Sequence, residues 1–113
     1  MNFIISENKR DRFILKWLEE NYGNLNYVTP ESDPTWFYYI KDGQVELDYL
    51  SKYKRLTFSD DILNFLQNYA GYKYSEVKTI VRIWFENSYK LDVEVVATPV
   101  DIVYRNWEIM SNK

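Results

Sequence analysis

The chain has no histidine and no cysteine among its 113 residues, and it is poor in small ones, with 3 glycines, 3 prolines and only two alanines, Ala70 and Ala97. Each shortage closes a class of function. Without histidine or cysteine there is no Ser-His-Asp triad, no Cys-His pair, no thiolate zinc site and no disulfide or redox pair. The glycines at 23, 43 and 71 are each accounted for by a helix stop or a turn, so none remains for a phosphate-cradling loop. No stretch approaches the ~20 apolar residues of a membrane span, and Met1 to Ile5 is too short an apolar run for a signal peptide. These absences predict a non-enzymatic cytoplasmic protein with no cofactor, no metal site, no membrane partner and no small-molecule substrate.

What the chain has in excess is rings: 11 Tyr, 6 Phe and 4 Trp, 19% of the residues. With 46% hydrophobic residues and a net charge of −3 it reads as a packed globule, and its length suits one domain with one core. Tyrosine buries an apolar ring but keeps a hydroxyl that needs a partner. Some of the eleven are therefore expected at a contact surface.

Along the chain, a short strand is predicted at Asn2 to Ile5. A helix follows over about 7–22, with Ser6 as N-cap, Gly23 as a left-handed stop, and Phe13, Ile14, Trp17, Leu18 and Tyr22 as its buried stripe. The clearest local signal is a β-hairpin over 35–49. Its Asp42-Gly43 pair supplies the two positive φ angles of a type I′ turn. Counting outward from the turn pairs Ile40 with Val45, Tyr39 with Glu46, Tyr38 with Leu47 and Phe37 with Asp48. One face then carries Trp36, Tyr38, Ile40, Val45, Leu47 and Tyr49 as core. The other mixes Phe37 and Tyr39 with Lys41, Gln44, Glu46 and Asp48.

A basic knot, Lys52 to Arg55, leads to a helix over about 60–70, capped by Ser59 and ended by Gly71. A further helix over about 75–88 buries Val77, Ile80, Val81, Trp84 and Phe85. Leu91, Val93 and Val95 then alternate with acids as a half-buried strand, and residues 98–110 fit both helical spacing and strand alternation, with Thr98-Pro99 as a helix start favouring the helix. The fold class expected is α+β: a single compact domain whose antiparallel sheet is built around the 35–49 hairpin, with the amphipathic helices packed on it.

Two functional readings follow. In the first, Phe37 and Tyr39 sit on a sheet face that a purely solvated surface rarely needs, and they are the partner-binding residues of a protein–protein interaction module. A free sheet edge is a second route to a partner or to a homo-oligomer. In the second, residues 63–82 resemble the DNA-binding helix-turn-helix, with Leu66, Ala70, Tyr72, Val77 and Ile80 at its apolar positions and Gln67 where that pattern has a small residue. The resemblance implies nucleic-acid contact by Lys73, Ser75, Lys78, Thr79 and Arg82. The sequence pI near 5.0 runs against it. Paired acids at Glu46 and Asp48, and at Asp92 and Glu94, are read as solvated strand faces.

High Tyr, Asn, Ile, Lys and Phe beside few Ala, Gly and Pro is what AT-rich coding yields. With the short length, this composition resembles small accessory proteins of bacteriophages and other viruses, which implies a product that binds a host or virion protein.

Overall fold

A computed structural model describes residues 9–97. The expected strand at Asn2 to Ile5, the Ser6 cap and the helix expected over 98–110 lie outside the described residues. Helix α1 spans Lys9–Tyr22, strand β1 Asn26–Val28, β2 Trp36–Lys41, β3 Gln44–Leu50 and β4 Arg55–Phe58. Helix α2, Asp60–Asn64, continues into a π-helical turn, Phe65–Tyr69, and is followed by α3, Tyr74–Tyr89, and β5, Val95–Val96. The described residues form one α+β domain, with three helices and a five-stranded sheet in the order β1-β2-β3-β4-β5. All pairs are antiparallel except β4 with β5, which the α2–α3 crossover makes parallel.

The hairpin turn forms as its residues demand, with Asp42 at φ 52° and Gly43 at φ 80°. Beyond it the register departs from simple counting. Ile40 faces Val45, but Tyr39 faces Leu47, Tyr38 faces Asp48 and Phe37 faces Tyr49, so a β-bulge makes Glu46 an extra residue in β3. Side chains alternate with period two, so one extra residue carries everything after it to the opposite face. Leu47 and Tyr49 thereby join Phe37 and Tyr39, and Leu56 and Phe58 of β4 complete that face.

All three helices cover this face. Ile14, Leu18 and Tyr22 of α1, Ile62 and Leu66 on α2 and its π-turn, and Val77, Ile80, Val81, Trp84 and Phe85 of α3 share one core with it. The α3 set is the one its spacing predicts. Phe13, expected in the α1 stripe, is exposed, and Asp11 is buried in its stead, because Tyr72 donates a hydrogen bond to its carboxylate. On the second sheet face Tyr38 and Val45 are buried beside Trp36 and Ile40, with Asp48 and Thr57 buried too. There the Trp36 indole N–H donates to Asp48 Oδ1 at 2.7 Å. From Val45 to Leu50, β3 is buried on both faces.

Three local expectations are corrected. Gly23 is not left-handed; its N–H bonds Glu19 O at 3.0 Å, and a Cβ there would come within 2.4 Å of that oxygen. The basic knot is a turn, with Lys54 at φ 52°, that leads into β4, a strand its charges concealed. Of the strand expected at 91–95 only Val95 pairs, with Val96 after it, and Lys54 O accepts from Glu94 N and Val95 N where β5 begins. Ser59 caps α2 as expected, accepting from Ile62 N, and Gly71, at φ 74°, ends the π-turn.

Glu46 sits at the bulge, 5% exposed, and one of its carboxylate oxygens has no hydrogen-bond partner among the described residues. Burial pushes its carboxyl above the ordinary range; the Ser59 hydroxyl offsets part of this, Asp61 and Asp42 add to it and Lys41 opposes it. Its folded-state pKa therefore exceeds the unfolded one, so its ionisation costs stability as pH rises above the ordinary carboxylate range, and the cost vanishes below that range. Glu46→Gln is expected to raise the unfolding free energy at neutral pH by on the order of 1 kcal/mol. Urea titrations should show the gain disappearing below about pH 4.

Candidate functional site

The bulge changes where the expected partner-binding rings lie. Tyr39 is only 4% exposed and meets Phe85 at 5.9 Å and Tyr89 at 4.8 Å between the ring centroids. Phe37 is half-buried, stacked on Tyr49 at 6.5 Å and 17°. Counting without the bulge had put both among solvated charges. With it they form the floor on which α3 packs, and that corrects the expected exposure.

The ring that does reach solvent in this corner is Tyr27, one strand further out. It is 55% exposed, edge-on to Phe37 at 5.1 Å and tilted against Tyr39 at 5.8 Å. Tyr27 pairs with Tyr39 in the β1–β2 ladder, and Val28 beside it is 47% exposed. All three β1 residues are exposed, and the strand forms one margin of the sheet. No charged residue occurs from Asn21 to Pro30. Edge strands are normally blunted by shortness, charge, bulges or cover; β1 is three residues long and has none of the other three among the described residues. Three residues between a glycine and a proline-containing loop gave no periodicity from which to read a strand.

The residues expected to contact nucleic acid fall on α3 or at its start. Lys73 is its N-cap, and its N–H donates to Glu76 Oε1 at 2.8 Å. Ser75, Thr79 and Arg82 are exposed along the helix and Lys78 is half-buried. Two of their three charges are already engaged. The Lys78 ammonium lies 5.1 Å from the centre of the Tyr74 ring, Arg82 pairs with Glu86 at 3.9 Å, and Thr79 Oγ1 donates to Ser75 O at 3.1 Å. A shallow depression of about 310 Å³ lies on one side of this row, and Glu94 lines it with Lys78 and Arg82. The other side has a depression of about 280 Å³ that includes Arg10, Asp11, Tyr72 and Glu76. The helix pair of the helix-turn-helix resemblance is present, but Gln67 lies inside the π-turn.

The paired acids separate in space. Asp92 and Glu94 stay exposed and both face Lys54 Nζ, at 3.9 and 3.8 Å. Glu46 and Asp48, expected on a solvated face, are buried, Asp48 on the Trp36 side and Glu46 beside Ser59. Among the described residues no group of three or more acidic side chains is close enough to hold a metal ion, and no helix is long and apolar enough to cross a membrane.

Asp11 at the floor of the Arg10 depression is held by the Tyr72 hydroxyl and, at 3.9 Å, by Arg10. Burial, and after it the bond to Asp11, pushes the Tyr72 phenol well above its usual range, so it stays protonated and donating throughout neutral pH. Tyr72→Phe removes one donor from a buried carboxylate. It is expected to cost about 1–2 kcal/mol in urea unfolding with an unchanged slope.

No family model, curated protein or solved structure matches this chain.

Proposed function

We propose that the protein is a non-catalytic protein–protein interaction module whose contact is the open edge at β1, and that the partner this edge fits is a second copy of the chain. The observation that carries the reading is the exposure of all three β1 residues at the margin of the sheet, with Tyr27 propped against Phe37 and Tyr39. An uncovered strand edge offers main-chain donors and acceptors to an incoming strand, and a three-residue edge offers a short row of them. Antiparallel self-pairing about Tyr27 sets Asn26 opposite Val28 and Tyr27 opposite Tyr27, with no like charges across the ladder.

Nucleic-acid recognition by Lys73, Ser75, Lys78, Thr79 and Arg82 draws less support, because Glu76, Glu86 and Glu94 share or flank that face and partly neutralise it. The depressions beside α3 are shallow and mixed in charge, and they favour a surface contact over an enclosed substrate.

The edge reading is tested by sedimentation at protein concentrations up to on the order of 100 µM. The wild-type chain is expected to run as a dimer, and Tyr27→Lys or Val28→Lys as a monomer with a thermal midpoint within about 2–4 °C of wild type. A wild-type monomer, or a dimer indifferent to both substitutions, overturns it.

A further inference from the structure

The outer side of α1 and the π-turn beside it form a surface used by neither the β1 edge nor α3. Trp17, Phe65 and Tyr69 stand in a column of near-parallel rings: Trp17 and Phe65 are 3.9 Å apart at 7°, and Phe65 and Tyr69 are 5.1 Å apart at 15°. The inner end is anchored where Tyr22 meets Trp17 edge-on at 5.6 Å. The outer end is open, and Tyr69 is 84% exposed. Phe65 and Tyr69 are four apart on the π-turn, which is closed by Ala70 N to Phe65 O at 3.2 Å. Such turns are costly to keep and occur often at functional sites.

Phe13 is a second exposed ring, carried by α1 itself. Arg10, Phe13 and Trp17 follow one another at i, i+3 and i+7 and make a single ridge of α1. Both ends of the ridge touch the same segment, since the Arg10 guanidinium lies 4.1 Å from the centre of the Tyr72 ring and Trp17 stacks on Phe65. In sequence Tyr69 falls between those two contacts, and both it and Phe13, 60% exposed, reach solvent.

The neighbouring ridge is basic. Lys9, Arg12 and Lys16 repeat the same i, i+3, i+7 spacing and are all exposed. None of them forms an ion pair among the described residues, whereas Arg10, Lys54 and Arg82 all do. The acids that follow on α1 are Glu19, which accepts from the Trp84 indole at 3.1 Å, and the exposed Glu20.

We propose that this surface binds single-stranded nucleic acid, with Tyr69 and Phe13 offering ring faces to unpaired bases and Lys9, Arg12 and Lys16 meeting the phosphates. Free ring faces suit unstacked bases, since a duplex hides its own. A row of unneutralised cations on a chain of net charge −3 selects a polyanion over the chain's own acidic surface. The assignment is independent of the β1 edge.

The test is anisotropy of a labelled oligothymidylate of about 15 nucleotides with the full chain, against a duplex of the same length. Single-strand binding is expected to weaken about 20-fold between roughly 50 and 200 mM salt, as three phosphate contacts predict. The Arg12→Ala/Lys16→Ala variant should reduce that loss to about 3-fold. Tyr69→Ser is expected to weaken binding on the order of 10-fold or more, while Tyr69→Phe keeps the ring and the affinity. Because Tyr69 is exposed, both variants should retain the wild-type thermal midpoint, and Tyr27→Lys should leave binding intact. Absence of binding at low salt, duplex bound as tightly as single strand, indifference to Tyr69→Ser, or loss through Lys78→Ala/Arg82→Ala in its place each overturns the proposal. So does a chain that ignores nucleic acid while Tyr69→Ser abolishes its self-association, which would assign the surface to protein contact.

Discussion

The packing of this domain depends on where the extra residue of β3 falls. In a regular hairpin Glu46 and Asp48 would stand beside Phe37 and Tyr39, under α1 and α3. Two carboxylates would then lie in a core of rings, at a cost of several kcal/mol each. The bulge exchanges them for Leu47 and Tyr49. Asp48 turns to the Trp36 indole and Glu46 to the Ser59 hydroxyl that also caps α2, so the same irregularity completes the apolar floor and ties the sheet to the next helix.

Aromatic content makes a second constraint, because a ring-built core brings hydroxyls inside with it. The tyrosines meet it by bonding main chain and acids far off in sequence. Tyr89 donates to Tyr22 O and accepts from Leu25 N at 3.2 Å, joining the end of α3 to the end of α1. Tyr49 reaches Asp92 O across the segment after α3, and Tyr72 reaches Asp11. Each such bond joins two elements that apolar contact alone would let slide. Bulky cores with few small residues thereby gain specificity that hydrophobic burial does not supply.

How far the sequence discloses this follows from the same physics. The buried set of α3 was legible because one side of the helix is apolar and the other charged, so the 3.6-residue period is plain. The Asp42-Gly43 turn was legible because its backbone angles exclude most residues. The hairpin faces were not. Trp36, Phe37, Tyr38, Tyr39 and Ile40 are apolar at every position, so β2 has no period, and β3 keeps its apolar alternation straight through the bulge while its faces exchange. Register is weakly specified when both faces look alike. With it went the exposure expected for Phe37 and Tyr39. The π-turn was hidden for a related reason, since Phe65 to Tyr69 reads as ordinary helix and only the main-chain bond from Ala70 N to Phe65 O reveals the change of pitch.

Charge then distinguishes the surfaces that remain. Around α3 and the β4–β5 margin, cations and acids sit in opposed pairs, Arg10 with Glu76, Arg82 with Glu86, Lys54 with Asp92 and Glu94. Exposed pairs of this kind contribute little to stability, but each cancels most of the field a polyanion would feel. The β1 edge has no charge at all, and it presents main chain and one ring. The outer side of α1 combines exposed rings with cations that form no ion pair among the described residues. A chain acidic overall can carry one such surface only where its acids are engaged elsewhere, and Glu19, turned inward to Trp84, and Asp11, buried against Tyr72, are the two acids of α1 so engaged.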